Sequence, residues 1–269
     1  DSEFGTPQAY FESFGVNMAQ VVHTPITDVE ELKFDIMKQL EGISKTDRVC
    51  IVIDSIGNLA SKKEVQDAMD GKSVADMSRA KQMKSLFRMI TPHLNLKDIP
   101  LIAVNHTYKE IGLYPKDIVS GGTGAYYSSD AIWIIGRQQE KSGTEIMGYH
   151  FIINIEKSRH VREKSKIPVT VTFEGGISKW SGLMDVAEKG GYLVKPNVGW
   201  YEAVDPKTGE VLTPNKLRAK DIHDSSQFWL MMFEKTDLAS YIKSQYTMAS
   251  GQMLTDEPTT SLEEILLDD

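Results

Sequence analysis

The chain has 269 residues, of which 41% are hydrophobic and 25% are charged. These values are typical of globular domains and exclude a fibrous, disordered or disulfide-built protein. Apolar runs stay well short of the roughly 18 residues that a membrane helix needs, so we expect no membrane partner. The single cysteine, Cys50, lies in the apolar run Val49–Ile53, which predicts a buried structural thiol in a reducing, intracellular compartment.

The net charge of −8 comes mainly from the carboxyl terminus. The segment Gly251–Asp269 holds six acidic residues and no Lys or Arg, while the other 250 residues carry 30 basic and 32 acidic residues. Nucleic-acid binders are usually basic overall, so DNA binding by this chain would need local basic features. The tail either competes with DNA for those features or is a solvated terminus.

The first half of the chain alternates between helix and strand patterns. Thr27 and Glu30 form a capping box that predicts a helix to about Leu40, and a second helix is predicted from about Val74 to Leu94. Short β-branched runs predict three strands: Val49–Ile53, Leu101–Val104 and Ala131–Ile135. Since these runs are almost continuously apolar, we expect strands buried on both faces, in an α/β fold with a mostly parallel sheet covered by helices.

Beyond residue 145 the pattern becomes antiparallel. Tyr149–Glu156 and Ile167–Phe173 predict two antiparallel strands joined by a highly charged stretch, and a last helix is expected near Leu238–Met248. We place a domain boundary near residue 180. The expected organisation is a core over residues 1–180, a small α+β carboxyl-terminal domain over residues 181–250 and an acidic, disordered tail over residues 251–269.

Asp54 ends the first predicted strand. Ligands of open α/β sheets bind in the crevice beyond the carboxyl ends of the strands, and Mg²⁺-binding acids are found there. The sequence therefore predicts a magnesium-binding carboxylate at Asp54. The alternative is an aspartate that only caps the following turn.

A phosphate-binding loop should accompany such an aspartate. The triplet Gly71-Lys72-Ser73 matches the end of the G-x-x-x-x-G-K-[ST] motif, but Gln66 occupies the place of its first glycine. The Gly121-Gly122-Thr123-Gly124 cluster has no following lysine and is typical of a flexible loop end. The opening Asp1–Gly5 is typical of the end of a strand, so we expect a fragment or split product that lacks at least one strand and the phosphate loop.

Two polar pairs follow strand patterns. Asn105 and His106 could sense a γ-phosphate and relay its presence to a mobile loop, or could simply be a hydrogen-bonded strand end. Lys157 and Arg159, two residues apart on one predicted strand, should point to the same face. They suit a polyphosphate held at an interface, or belong to a solvated charged hairpin.

Several motifs taken together resemble one family. They are Asp1-Ser2-Glu3-Phe4-Gly5, the run from Ile53 to Glu64, Asn105-His106-Thr107-Tyr108, Gly121-Gly122-Thr123-Gly124, Glu156-Lys157-Ser158-Arg159 and Gly199-Trp200-Tyr201. In this order and spacing, and with the acidic tail, the chain resembles the UvsX family, the RecA-like strand-exchange recombinases of T-even-type bacteriophages.

The resemblance implies a RecA-type fold and roles for residues at the nucleotide. Glu3 matches the carboxylate that activates the attacking water, Asp54 the acid that holds the water shell of Mg²⁺, and His106 the γ-phosphate sensor. Tyr10 would stack on adenine, and Asn105 would lie beside the nucleotide.

The resemblance also implies contacts with neighbouring subunits and with DNA. Lys157 and Arg159 would reach the ATP of the adjacent subunit in a filament. Two DNA-binding loops would map to about Asp67–Asp76 and Thr107–Gly121. The implied DNA-binding residues are Lys72, Arg79, Tyr108, Lys109, Lys116, Gly121 and Gly122.

As an activity, the resemblance implies a DNA-dependent ATPase of homologous recombination and repair, with ATP and Mg²⁺ as cofactors. It would form filaments on single-stranded DNA and exchange strands with homologous duplex, in the cytoplasm of an infected bacterial cell. Expected partners are single- and double-stranded DNA, further copies of the chain, a phage recombination mediator and a single-stranded-DNA-binding protein. Two alternatives remain: a hexameric RecA-fold helicase motor, and a non-hydrolysing, truncated regulator of recombination filaments.

Overall fold

The structure, a computed structural model, describes residues 1–5, 7–72, 77–113, 115–142 and 144–247. The chain divides into two compact units, of which the first is Asp1–Ile134 and the second begins at Ile135. This division differs from the domain boundary near residue 180, which stays a prediction.

The first unit combines helices with two short sheets. Its helices are α1 (Gln8–Ser13), α2 (Val29–Gly42), α3 (Lys62–Met69), α4 (Ser78–Lys97) and α5 (Thr123–Ser128). Its strands are β1 (Ile51–Ile53), β2 (Leu101–Ala103), β3 (Thr107–Lys109) and β4 (Asp117–Val119). β1 and β2 pair in parallel with Ile51 opposite Leu101, and β3 and β4 form an antiparallel hairpin.

The cap of α2 lies one residue later than the capping box predicts. Asp28 is the N-cap residue, and its carboxylate accepts a hydrogen bond of 2.7 Å from the amide of Glu31. The Glu31 carboxylate in turn accepts hydrogen bonds from the amide and the hydroxyl of Thr27, both 2.8 Å long. Glu31, and not Glu30, is therefore the acid of this cap. Asp28 and Glu31 accept hydrogen bonds from backbone amides at the helix start that have no partner within the helix.

The core of the first unit lies between α2, α4 and one face of β1 and β2. Apolar residues at helical spacing are buried in it: Val29, Leu32, Ile36 and Leu40 of α2, and Met83, Leu86, Phe87, Ile90 and Leu94 of α4. The second helix thus forms as its periodicity predicts, although it begins at Ser78 and the expected start at Val74 lies outside the described residues.

The parallel pair β1 and β2 is covered on one face only. Ile53 is 4% exposed and belongs to the core, whereas Val52 and Ile102 on the other face are 61% and 57% exposed. The expectation of burial on both faces is therefore wrong for the described residues, because α2 and α4 pack on the same side. Cys50, which directly precedes β1, is exposed rather than buried.

The second unit contains a four-stranded sheet. Its order is β5 (Ala131–Ser142), β6 (Glu145–Ser158), β7 (Lys166–Thr172) and β8 (Gly176–Ile177), and the division between the units falls within β5. β6 and β7 are antiparallel, which confirms the two strands expected there. The placement of Ala131–Ile135 in the parallel sheet is wrong for the described residues: this segment opens β5, a long strand beside β6, and Trp133 is 60% exposed.

A small α+β module follows the sheet. Its elements are α6 (Leu183–Lys189), β9 (Leu193–Asn197), β10 (Trp200–Ala203), α7 (Ala219–Ile222), α8 (Ser226–Lys235) and α9 (Leu238–Tyr246). They enclose a separate core whose fully buried members include Trp229, Met232 and Leu238. The last helix is confirmed as far as Tyr246, and Met248 and the acidic tail lie outside the described residues.

A polar network in this module centres on Asp237. The Tyr192 hydroxyl donates a hydrogen bond of 2.6 Å to Asp237 Oδ1, and Lys207 Nζ lies 2.8 Å from Asp237 Oδ2. The hydrogen bond from Lys207, followed by that from Tyr192, holds the pKa of the Asp237 carboxyl below its usual range.

In the described ranges no helix is long and apolar enough to cross a membrane.

Candidate active site

The loop that follows β1 is tied to the opening segment of the chain. The amide of Ser2 donates a hydrogen bond of 2.7 Å to the carbonyl of Asp54, and the Ser2 hydroxyl both donates to the carbonyl of Ser55 and accepts from its amide. The opening residues form no strand, contrary to the expectation from Asp1–Gly5. They nevertheless place Glu3 beside the carboxyl ends of β1 and β2, because Ser2 is fixed to both residues that follow Ile53.

Glu3 lies in a cluster of polar side chains. Its Oε1 atom accepts hydrogen bonds from the hydroxyl of Ser55, at 2.9 Å, and from the side-chain amide of Asn58, at 2.8 Å. The same oxygen lies 3.8 Å from Nε2 of His106. The structure therefore brings together two of the predicted catalytic residues, Glu3 and His106, which are 103 positions apart in the sequence.

Asp54 lies at the carboxyl end of β1 and is half-buried. Within the described ranges its carboxylate accepts no hydrogen bond, although its backbone carbonyl does. The structure also contains no group of three or more His, Cys, Asp or Glu side chains that could hold a metal ion, as far as the described residues go. Asp54 is thus a single carboxylate with both oxygens available to a hydrated cation.

The Cδ2 edge of the His106 ring points at the backbone of Gly57. A Cβ atom added at Gly57 would lie 1.9 Å from Cδ2 of the His106 ring, so this position must be a glycine for the ring to lie where it does. The ring is otherwise accessible, since 53% of the side chain is exposed. A ligand beyond the strand ends can reach this imidazole.

Asn105 connects this cluster to the hairpin of β3 and β4. Its Oδ1 atom accepts a hydrogen bond of 2.9 Å from the amide of His106, and its Nδ2 atom donates one of 2.9 Å to the carbonyl of Ser120. The amide of Ser120 closes the ring by donating to the carbonyl of His106, also at 2.9 Å. A displacement of His106 would therefore also displace both ends of the β3–β4 hairpin.

Arg79, expected to contact DNA, is hydrogen-bonded to the loop after β1. Its Nη2 atom donates hydrogen bonds of 2.8 Å to the carbonyls of Ile56 and Gly57, and its Nε atom donates one of 2.6 Å to the carbonyl of Leu59. These three bonds use Nε and Nη2, so a contact between Arg79 and DNA stays a prediction. Arg79 fixes the loop after β1 to the start of α4.

The other expected DNA-binding residues lie on exposed segments. Lys72 pairs with Asp70 and Lys109 with Asp117, each at 2.8 Å, and Tyr108 and Lys116 are exposed. Gly121 and Gly122 have φ values of 88° and 77°, which favour glycine, and precede α5.

The two expected DNA-binding loops differ from the prediction in form. Thr107–Gly121 is largely the β3–β4 hairpin, whose exposed tip carries Ile111 and Leu113. Of Asp67–Asp76, residues 67–69 belong to α3 and residues 73–76 lie outside the described ranges.

The remaining predicted site residues are Tyr10 of α1 and two basic residues at the end of β6, Lys157 and Arg159. Tyr10 is 57% exposed on α1, and its ring meets that of Phe14 edge-on at 5.1 Å. Lys157 is half-buried in β6, but β6 ends at Ser158, so Arg159 is not part of the strand. The expectation that the two cations lie on one strand face is therefore wrong. The chain turns at Ser158, whose hydroxyl accepts hydrogen bonds from the amides of His160 and Val161.

Sequence reasoning missed the residues that organise the site. Ser55, Gly57 and Asn58 lie within four positions after Asp54, and none of the sequence patterns above predicts a role for them. Their positions after a strand end, where polar side chains and glycines collect around ligands, are the signal that could have found them.

Comparisons with known proteins match two successive parts of the chain to two family models. Residues 1–178 match the model of the RecA N-terminal domain, and residues 180–242 match the model described as "Bacteriophage T4, Recombination and repair protein, C-terminal domain". The chain is 47% identical over 253 residues to the recombination and repair protein of Enterobacteria phage T4, an alignment that covers 93% of this chain and 64% of that protein.

Bacterial relatives are more distant. The chain is 27% identical over 225 residues to protein RecA of Bacteroides thetaiotaomicron, covering 82% of this chain and 66% of the relative. It is 25% identical over 213 residues to protein RecA of Parasynechococcus marenigrum, covering 78% and 55%. The chain thus spans between 55% and 66% of the length of these three relatives.

Proposed function

The chain belongs to the RecA family, as a recombination and repair protein of the phage type, and from that premise we propose that it carries the hydrolytic centre of an ATP-dependent recombinase. The complete protein would form filaments on single-stranded DNA and exchange strands with homologous duplex in the infected cell. The single observation that carries the proposal is the meeting of Glu3 and His106, 3.8 Å apart, beside Asp54 at the ends of two parallel strands.

Each of these residues has the chemistry that phosphoryl transfer to water requires. Mg²⁺ prefers carboxylate oxygens and keeps several waters, so the carboxylate of Asp54, which accepts no hydrogen bond from the described residues, fits its water shell. Bound MgATP would supply the phosphorus atom that water attacks. Glu3 would take the proton of that water, a role that general bases fill with an effect of about 10²–10⁴-fold. His106 would donate a hydrogen bond to the γ-phosphate.

The link between His106 and the hairpin supports coupling of ATP to DNA. Ser120, at the end of the hairpin, is bonded to both Asn105 and His106. A movement of His106 toward a γ-phosphate would therefore shift the β3–β4 hairpin, which carries Tyr108, Lys109 and Lys116. We propose that this hairpin is a DNA-binding element. It acts together with Lys72 and with Gly121 and Gly122, the two glycines that follow the hairpin.

The proposed DNA contact is electrostatic and local. We expect affinity for single-stranded DNA to fall steeply with salt and to be indifferent to sequence, because phosphate contacts dominate. Deletion of Gly251–Asp269 removes six negative charges and should move the salt midpoint of binding upward. An unchanged salt titration after the deletion would show that the tail is a solvated terminus.

A recombination mediator and a single-stranded-DNA-binding protein are the further partners that we propose.

Glu3→Gln in the full-length recombinase tests the hydrolytic role. ATP and DNA binding should persist while the turnover number falls by about 10²–10⁴-fold, and the filament should outlast that of the parent. Parent-like turnover by Glu3→Gln would refute the role of Glu3. Electron microscopy of the same samples separates filaments from the rings that a helicase motor would form.

A mixing experiment tests the proposal that Lys157 and Arg159 act on the neighbouring subunit's nucleotide. Head-to-tail assembly gives heterologous interfaces, so one subunit can complete the next subunit's site. Arg159→Ala and Glu3→Gln proteins should each be inactive alone. Mixed filaments should recover turnover at interfaces that pair an intact Glu3 with an intact Arg159. If the two variants co-assemble without recovery, the basic residues act elsewhere.

A further inference from the structure

We propose that Asn58 is a positioning residue that sets the Glu3 carboxylate for proton transfer, an inference that rests on the proposed ATPase function. Glu3 lies in a segment without helix or strand, and 41% of its side chain is exposed. A long side chain in such a place has several rotamers open to it. Groups outside the segment must therefore hold the carboxylate in one orientation.

The contacts divide the two oxygens of Glu3 between two tasks. Both hydrogen bonds, from Ser55 and from Asn58, go to Oε1. Among the described residues, Oε2 accepts none. With Oε1 fixed by two donors, Oε2 is the oxygen that can accept a proton from water. This arrangement is preorganisation of a base by neighbouring donors.

Of the two donors, Asn58 is the one without a second structural task. Ser55 is fully buried, and its backbone bonds to Ser2 hold the opening segment in place. Asn58 is exposed, and within the described part of the chain its side chain bonds only to Glu3. A change at Asn58 should thus reach Glu3 without disturbing the fold.

Asn58 is itself held in place by its neighbours in the loop. Arg79 binds the carbonyls of Gly57 and Leu59, the residues on either side of Asn58, and that of Ile56. The backbone from which Asn58 projects is therefore fixed at three points. Because this backbone is fixed, the side-chain amide of Asn58 can hold the exposed Glu3 carboxylate in one orientation.

The test compares variants of the full-length recombinase in steady-state ATP hydrolysis on single-stranded DNA. Asn58→Ala should lower kcat about ten-fold, the effect expected for a hydrogen bond to a partly exposed charged group, and should leave KM for ATP unchanged. Asn58→Asp keeps the size of the side chain but removes the donor, so it should be at least as slow. Asn95→Ala, at an exposed asparagine of α4, is the control and should hydrolyse ATP at the parent rate.

A double-mutant cycle shows whether Asn58 acts through Glu3. In a Glu3→Gln background, Asn58→Ala should change kcat by less than about two-fold, because residues that act as one unit are not additive. Equal losses in both backgrounds would overturn the inference, as would a rise in KM without a fall in kcat. Thermal unfolding of each variant separates these outcomes from loss of fold, and Asn58→Asp replaces any alanine variant that unfolds.

The outcome also separates this inference from the proposed function. If Glu3→Gln hydrolyses ATP like the parent, the role of Glu3 fails and the inference fails with it. If Glu3→Gln is slow but both Asn58 variants keep the parent kcat, only the positioning role of Asn58 is refuted.

Discussion

Gly57→Ala should displace the His106 ring while leaving the chain folded. The added Cβ would lie 1.9 Å from Cδ2 of the ring and 2.9 Å from both Cγ and Nε2. Carbon atoms in contact stay about 3.5–4.0 Å apart, so the ring must move by about 1.6 Å or more. Gly57 does not have a positive φ, and alanine therefore adds no backbone strain of that kind.

The loss of stability should be small and the loss of turnover large. His106 is 53% exposed, so its ring can move away from Gly57 by turning a side-chain torsion about 30° from its preferred value, at a cost of about 0.5–1.5 kcal/mol. That corresponds to a fall in Tm of a few degrees at most for a domain of roughly this size. The 3.8 Å approach to Glu3 would be lost, and a misplacement of about 1 Å at a reacting centre can cost about 10²-fold in rate.

Two measurements check this pair of effects. In the chain with ¹³C-labelled histidine, the ring signal of His106 should shift in Gly57→Ala, with the other five histidines as internal references. Gly42→Ala, at the end of α2, is the matched control because its Cβ would meet nothing within 4 Å. An unshifted His106 signal with parent-like ATP turnover would refute the reasoning, as would a loss of several kcal/mol in the free energy of unfolding.

Three further substitutions have expected outcomes in stability. Gly148→Ala in β6 should lower the free energy of unfolding by about 1–3 kcal/mol in urea titrations, because its Cβ would lie 2.1 Å from a carbonyl oxygen of β7; Gly136→Ala, whose nearest contact would be 3.9 Å away, should cost less than half as much. Arg79→Met removes three hydrogen bonds to carbonyls and should cost about 1–3 kcal/mol, so an unchanged urea midpoint would contradict its structural role. Lys207 holds the pKa of Asp237 low, so this carboxylate stabilises the fold above its ordinary pKa of about 4, and the contribution is lost as the pH falls through the lowered folded value. Asp237→Asn should therefore melt earlier than the parent at pH 7, and its Tm should fall less below about pH 4.

The candidate site could be predicted in part because one topological rule places two of its segments. Asp54 and the pair Asn105 and His106 each follow a strand, and parallel strands bring their carboxyl ends to one edge. Their proximity follows from the sequence once the strands are recognised. Glu3 does not follow from any such pattern, and only the family resemblance predicts a role for it.

The residues that support the cluster could not be predicted, because their partners are distant and are backbone atoms. Arg79 is a basic residue near the start of a helix, a pattern equally typical of a DNA contact. Its three carbonyl partners lie about twenty positions earlier and leave no trace in composition or periodicity. Burial has the same limit: the apolar residues Val52 and Ile102 show what a strand can bury, but not whether a second layer covers it.

The exposure of Cys50 gives the protein one chemically addressable position. It is the single cysteine of the 269-residue sequence, and it precedes β1 in the first unit. A thiol-reactive dye should therefore attach once per chain, without mutagenesis and without the unfolding that a buried thiol would require. Chains labelled separately with a donor and an acceptor dye would then report, through energy transfer, when copies come together and when they separate.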